Sequence, residues 1–246
     1  MYLMNKIYKM LNLIFPPKCP GCDKVLTIKE YDKGFCDECF KNVHFVDEPM
    51  CIKCGRKLQD NINDLCEDCI NIKREFIQGR SVYLYEGPVK RAMYGFKYKN
   101  KRAYAKVFSK DIEKYLGEFI RYIESKGSID AIVPVPISKK RLLKRGYNQA
   151  KVLADYVSKC FNIPVCENII KRNVSTKALK TQNALERHIN LNHAFKYNEI
   201  SVKLNKILLI DDIYTTGATL NSIAAELRQN GVNEIYFICV CNGDIH

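Results

Sequence analysis

No stretch of this 246-residue chain approaches the roughly 18 consecutive apolar residues that a membrane-spanning helix needs, so no span is expected. The N-terminus, MYLMNKIYKMLNLIFPPKC, lacks a small-residue cleavage site and carries Lys6 and Lys9, which argues against a secretory signal. Residues 1–17 are expected to form a short amphipathic helix capping the next domain, with a membrane-surface anchor as the alternative. The expected location is the cytoplasm. Acidic residues are scarce in one place: residues 71–110 hold eleven basic side chains and two acidic ones, net +9 of the +13 total. Residues 1–70 come to −1 and residues 111–246 to +5. Excess charge gathered in one block points to a polyanionic partner, where scattered lysines would point to solubility alone.

Large aliphatics are few between Cys19 and Cys69, and that stretch cannot build a core of its own. It holds eight of the twelve cysteines, as CPGC, CDEC, CIKC and CEDC. Each C-x-x-C lets two thiolates grip one ion from a tight turn, and two such turns complete a tetrahedral zinc site. Thirteen residues separate Cys22 from Cys36 and eleven separate Cys54 from Cys66, about the length of a zinc-ribbon hairpin. A disulfide framework is the alternative, disfavoured by a cytoplasmic address. Successive pairing gives Cys19, Cys22, Cys36 and Cys39 for one zinc, and Cys51, Cys54, Cys66 and Cys69 for the other; interleaved pairing stays open. With four thiolates per ion no position remains for water, so both ions are expected to be structural. Cys160, Cys166, Cys239 and Cys241 read as small core residues.

The basic block is also aromatic. Lys90, Arg91, Lys97, Lys99, Lys101 and Arg102 are interleaved with Tyr94, Phe96, Tyr98 and Tyr104. Cations for phosphates and rings for bases suit single-stranded nucleic acid without sequence choice. The bland alternative is core aromatics and a solvated lysine face. A strand at SVYLYEG, a helix after Gly87-Pro88 and a second helix over 103–123 are expected.

From Ile129 onward apolar strands alternate with amphipathic helices, which predicts an α/β domain: a mostly parallel sheet with helices on both faces. The whole divides as an N-terminal helix over 1–17, a double zinc ribbon over 18–72 and the α/β domain over 73–246. Ligands in such sheets bind at the carboxyl ends of strands, where loops 136–146 and 211–219 lie. In ILLIDDIYTTGATL (207–220) a buried strand runs into Asp211 and Asp212. Thr215, Thr216, Gly217, Ala218 and Thr219 then open a helix, whose unpaired N–H groups favour an anion. The Gly-Lys-Ser/Thr ending of a Walker loop is missing. A phosphate cradle beside two acids that can meet a diol or hydrated magnesium suits 5-phosphoribosyl 1-diphosphate.

This stretch resembles the ribose-phosphate motif of the type I phosphoribosyltransferases. The resemblance implies that Asp211 and Asp212 contact the ribose hydroxyls, that the second acid stabilises positive charge at the anomeric carbon, and that residues 215–219 hold the 5-phosphate. It also implies a diphosphate loop in VPVPISKKRLLKRGYNQA, with Lys139, Lys140, Arg141, Lys144 and Arg145. Asn148 and Gln149 are expected to order that loop. KRNVSTKALKTQNALERHIN fits a mobile hood, with Lys171, Arg172, Gln182 and Arg187 as its contact candidates.

Taken with FPPKCPGC, the four cysteine pairs, GFKYKNKRAYA, RGYNQA and IDDIYTTGAT, the chain resembles the ComF family, also called ComF/GntX, along nearly its whole length. That resemblance implies a late step of natural transformation: handling single-stranded DNA as it enters the cytoplasm, beside a DNA-uptake ATPase at the inner face of the membrane. No acceptor pocket is recognisable, so a DNA-handling protein with a retained sugar site and an active transferase of unknown acceptor both stand.

Overall fold

The computed structural model describes residues 16–59, 62–172, 194–199 and 201–243. The helix expected over 1–17 falls almost wholly outside these residues, as do Gln182 and Arg187 of the expected hood. In chain order the elements are α1 (Asp37–Phe40), α2 (Glu67–Asn71), β1 (Gln78–Leu84), α3 (Gly87–Tyr98), α4 (Tyr104–Ser125), β2 (Ala131–Pro134) and α5 (Lys139–Arg145). There follow α6 (Gln149–Phe161), β3 (Ile170–Arg172), β4 (Phe195–Tyr197), β5 (Lys206–Tyr214), α7 (Ala218–Gln229) and β6 (Glu234–Asn242).

The four strands β1-β6-β5-β2 form a parallel sheet in that order. β5 is flanked on both sides, which is why its sequence reads as an unbroken aliphatic run. Its alternate residues serve two cores. Leu208 and Ile210 pack with Phe108, Ile112 and Ile120 of α4 and with Leu153 and Val157 of α6. Ile207 and Leu209 pack with Leu220, Ile223 and Leu227 of α7. β3 and β4 make a separate antiparallel pair.

The cysteine-rich segment divides between these cores. Cys19, Cys36 and Cys39 belong to the α4 side, and Cys51, Cys54 and Cys66 to the α7 side. Residues of the cysteine-rich segment cover the β1 edge of the sheet: Val46 N–H donates to Val82 O at 2.9 Å, Leu84 N–H to His44 O at 2.9 Å and Gly79 N–H to Lys53 O at 2.9 Å. An edge strand is thereby shielded from pairing with another chain.

Two expectations change. Residues 139–145, read as loop, form the short helix α5: Ser138 Oγ accepts from Arg141 N–H at 3.3 Å, and Gly146 closes the helix at φ +76°. A polar N-cap and a left-handed C-terminal glycine suffice to set two turns of helix in a segment with no apolar periodicity. In addition, β5 continues past both acids to Tyr214, because Asp211, Ile213 and Tyr214 keep their register against Cys239, Cys241 and Asn242 of β6.

Candidate functional site

Asp211 and Asp212 are consecutive strand residues, so their side chains leave the sheet on opposite faces. This separates them chemically. Asp212 is buried and meets Lys97 of α3 at 2.8 Å, with the two side chains only 12 % and 15 % exposed. Asp211 lines a cavity of about 40 Å³ together with Ile213, Tyr214, Thr215–Thr219 and Leu220. Burial, with the charge of Asp212 beside it, pushes the Asp211 carboxyl up to about 7, against the opposing pull of Lys97 and Arg172. For Lys97, burial alone would depress the ammonium; the charges of Asp212 and Asp211 outweigh it and hold it above its usual value.

The cavity owes its form to Gly217, which stands at φ +73° immediately before α7. A Cβ there would lie 2.5 Å from Tyr214 Oη, so glycine is required both for the left-handed conformation and for the close approach. Thr216 Oγ1 accepts from Ala218 N–H at 3.2 Å, while Thr215 and Thr216 are exposed. The N-terminus of α7 thus lines the cavity, and the N–H groups that a helix start leaves without intrahelical partners are the kind of donor that receives an anion.

Arg145 of the expected diphosphate segment turns back: its Nη1 donates to Gln149 Oε1 at 2.8 Å, its Nη2 to Tyr98 Oη at 3.3 Å, and its guanidinium lies 5.0 Å from the Tyr98 ring centroid. Lys139, Lys140, Arg141 and Lys144 are exposed on α5. Asn148 ties the segment's two ends, donating to Val135 O at 3.0 Å and accepting from Ala150 N–H at 3.1 Å. Of the hood candidates, Arg172 on β3 lies near enough to Asp211 and Arg141 to feel both charges: burial lowers its guanidinium, Arg141 adds to that, and Asp211 opposes. Lys171 points outward, 3.4 Å from Asn198 Oδ1.

The basic block disperses on folding. Lys97, read from the sequence with the nucleic-acid cations, is paired with Asp212. Arg91 Nε donates to Gly21 O at 2.7 Å, Lys101 pairs with Asp23 at 3.0 Å, and Arg102 donates to Gly146 O at 2.9 Å while lying over Tyr147. Lys90 and Lys99 are exposed. One contact carried no signal in the sequence. Arg56, two residues past a C-x-x-C, donates from Nη2 to Thr215 O at 2.7 Å and pairs with Asp68 at 2.9 Å.

The cysteines gather as Cys19, Cys22, Cys36 and Cys39 and as Cys51, Cys54, Cys66 and Cys69, and in each set all four sulfurs lie within 4.8 Å of one another. This is the successive pairing. Cys22 and Cys36 sulfurs are 3.7 Å apart and those of Cys54 and Cys66 3.6 Å. A tetrahedron with zinc–sulfur bonds of about 2.3 Å has edges of about 3.8 Å, so both sets fit zinc.

The comparisons agree with this architecture. Residues 10–70 match the double zinc ribbon domain family, and residues 104–245 match the phosphoribosyl transferase domain family. Competence protein F of Haemophilus influenzae is 31 % identical over 92 % of this chain and 96 % of its own length. Competence protein ComFC of Bacillus subtilis is 30 % identical over 85 % of this chain and 83 % of its own. DNA utilization protein YhgH of Escherichia coli (strain K12) is 26 % identical over 93 % and 98 %. With a double zinc ribbon joined to a phosphoribosyltransferase-type parallel sheet, and with these relatives along most of its length, the chain belongs to the ComF family of competence proteins.

Proposed function

We propose that this protein serves DNA uptake, handling single-stranded DNA in the cytoplasm while its sheet presents a site for 5-phosphoribosyl 1-diphosphate. The observation that carries the sugar site is the cavity at the N-terminus of α7, bounded on one side by Asp211 and on the other by the Thr215–Thr219 turn. Backbone N–H groups and the two exposed hydroxyls take the 5-phosphate. Asp211 accepts from the ribose diol, and Asp212, held by Lys97, supplies fixed negative charge beside it. Arg172, which acts on Asp211 and stands near Arg141, receives the diphosphate together with Arg141. Residues of this kind fit magnesium, with Asp211 and ligand oxygens around it. The ion would neutralise diphosphate charge.

The names of the relatives, competence and DNA utilization proteins, support the DNA role. A DNA-uptake ATPase at the inner membrane face is the partner that role calls for, with the protein peripheral there. No helix among the described residues is long and apolar enough to cross a membrane. The transferase reading is kept by one observation: the site pairs a carboxyl pushed up to about 7 with another in an ion pair, the division of labour that acid–base chemistry uses.

Calorimetric titration of the sugar diphosphate with magnesium tests the site. Saturable binding by the wild type and none by Asp211→Ala/Asp212→Ala is expected; equal binding by both proteins removes the site. Diphosphate release on adding single-stranded DNA or free bases would establish turnover, and binding without release would leave a sugar-sensing DNA protein. Anisotropy with labelled single-stranded DNA tests the other half. Affinity should fall steeply between low and moderate salt, and no binding at low salt would end the DNA reading.

A further inference from the structure

α3 carries two tyrosines that its packing does not use. Val89, Ala92, Met93 and Phe96 bury one face of this helix completely. Tyr94 and Tyr98, one turn apart on the other face, stay 54 % and 51 % exposed, with ring centroids 5.2 Å apart at an interplanar angle of 47°. Two adjacent exposed rings place apolar surface in water with no return from the core, which marks a contact surface.

Cations frame these rings. Lys99 Nζ lies 5.9 Å from the Tyr94 centroid, and Arg145 lies over Tyr98. Lys90 stands one turn before Tyr94, at a spacing that puts it on the same stripe. Among the described residues, neither Lys90 nor Lys99 forms an ion pair with a carboxylate, in contrast to Lys97 and Lys101. Lys90, Tyr94 and Lys99 also line a groove of about 470 Å³ between α3 and the Pro20–Asp23 knuckle. At its far end the same helix delivers Lys97 to Asp212.

We propose that Tyr94 and Tyr98 form a ledge on which two bases of a single-stranded nucleic acid stack, with Lys90 and Lys99 taking its phosphates. The ledge ends at Arg145, whose guanidinium lies over Tyr98. Ring spacing favours a single strand over a duplex. Bases in a duplex strand follow one another at about 3.4 Å and stay stacked, whereas rings 5.2 Å apart address bases already splayed from each other. Rings read any base face, so the ledge has no sequence preference.

This inference rests on the DNA-binding reading, and one experiment separates the two. Dissociation constants are measured by fluorescence anisotropy for an oligo-dT strand and for an abasic strand of equal length. The proteins are the wild type, Tyr94→Ala, Tyr98→Ala, Tyr98→Phe and Lys90→Ala/Lys99→Ala, each verified to hold two zinc ions. Each tyrosine-to-alanine change should weaken oligo-dT binding about 5- to 100-fold and leave the abasic strand unchanged. Tyr98→Phe, which keeps the ring, should bind as the wild type does. The lysine pair should weaken both strands and flatten the salt dependence. If the wild type binds oligo-dT and both tyrosine-to-alanine variants match it, the ledge is wrong while DNA binding stands. If the wild type binds neither strand at low salt, the parent reading and the ledge fall together.

Discussion

The guanidinium of Arg56 joins a zinc knuckle to the phosphate turn: it donates to Thr215 O at 2.7 Å while holding Asp68, within the second C-x-x-C of its own zinc site, at 2.9 Å. The knuckle is fastened at further points, since Asn242 Nδ2 donates to Gly55 O at 3.2 Å and Gly79 N–H to Lys53 O at 2.9 Å. A Cβ on Gly55 would sit 2.7 Å from Gly79 O, so knuckle and edge strand are in close contact. The second zinc site therefore acts as a strut beneath the Thr215–Thr219 turn.

Arg56→Ala should weaken binding of the magnesium–sugar diphosphate about tenfold, the scale of one lost hydrogen bond to a charged donor. Zinc content should stay at two per chain. Calorimetry together with metal analysis checks this. Unchanged affinity would show that the Thr215 turn holds its shape unaided.

The two zinc sites should differ in what their loss does. Cys54 is wholly buried on the α7 side, whereas Cys22 is exposed. Each Cys→Ala variant should keep one zinc. Cys54→Ala should lose sugar binding and much of its stability, whereas Cys22→Ala should keep measurable sugar binding. Zinc analysis and titration at a temperature below both melting transitions read the difference.

Removing Lys97 leaves a buried carboxylate without its partner. Lys97→Met should destabilise the fold by about 3 kcal/mol, and Lys97→Met/Asp212→Asn should recover most of that loss. Urea denaturation of the four proteins of the cycle measures the coupling. Additive effects would mean that the pair seen at 2.8 Å contributes nothing.

Asp111 of α4 is 6 % exposed and accepts from Tyr83 Oη. Burial pushes its carboxyl up to about 6, against the hydrogen bond from Tyr83 and the charges of Lys114 and Lys110. The folded chain therefore keeps a proton that the unfolded chain, with a value near 4, has released. Stability attributable to this group is fully present below about pH 4 and falls as pH rises to about 6, by about 3 kcal/mol. Asp111→Asn should remove this slope while keeping an acceptor for Tyr83. The measurement is the wild-type minus variant difference in unfolding free energy at pH 4.5, 5.5 and 7, which subtracts the pH dependence of the zinc thiolates. A constant difference would place the Asp111 carboxyl at its ordinary value.

Much of the architecture was legible because it is written in local chemistry. Cysteine spacing specifies two four-sulfur sites, because each tight turn presents two thiolates to one ion. The run ILLIDD specifies a strand buried on both faces, because only flanking strands and helices on both sides accommodate unbroken aliphatics. Gly217 marks a close backbone approach, because a Cβ there would lie 2.5 Å from Tyr214 Oη. α5 was missed because a cap and a terminating glycine set it, with no apolar stripe to reveal it.

Pairing and partner choice were decided only by the tertiary structure. Spacing left the cysteines free to combine successively or interleaved; packing on opposite sides of the sheet brought each set together. The charge block read as one feature because its residues are neighbours in the chain. A helix turns neighbours about 100° apart, so α3 sends Lys97 inward to Asp212 and leaves Tyr94 and Tyr98 outside. Arg56 reaches Thr215 across 159 positions of sequence, a distance that no local pattern encodes.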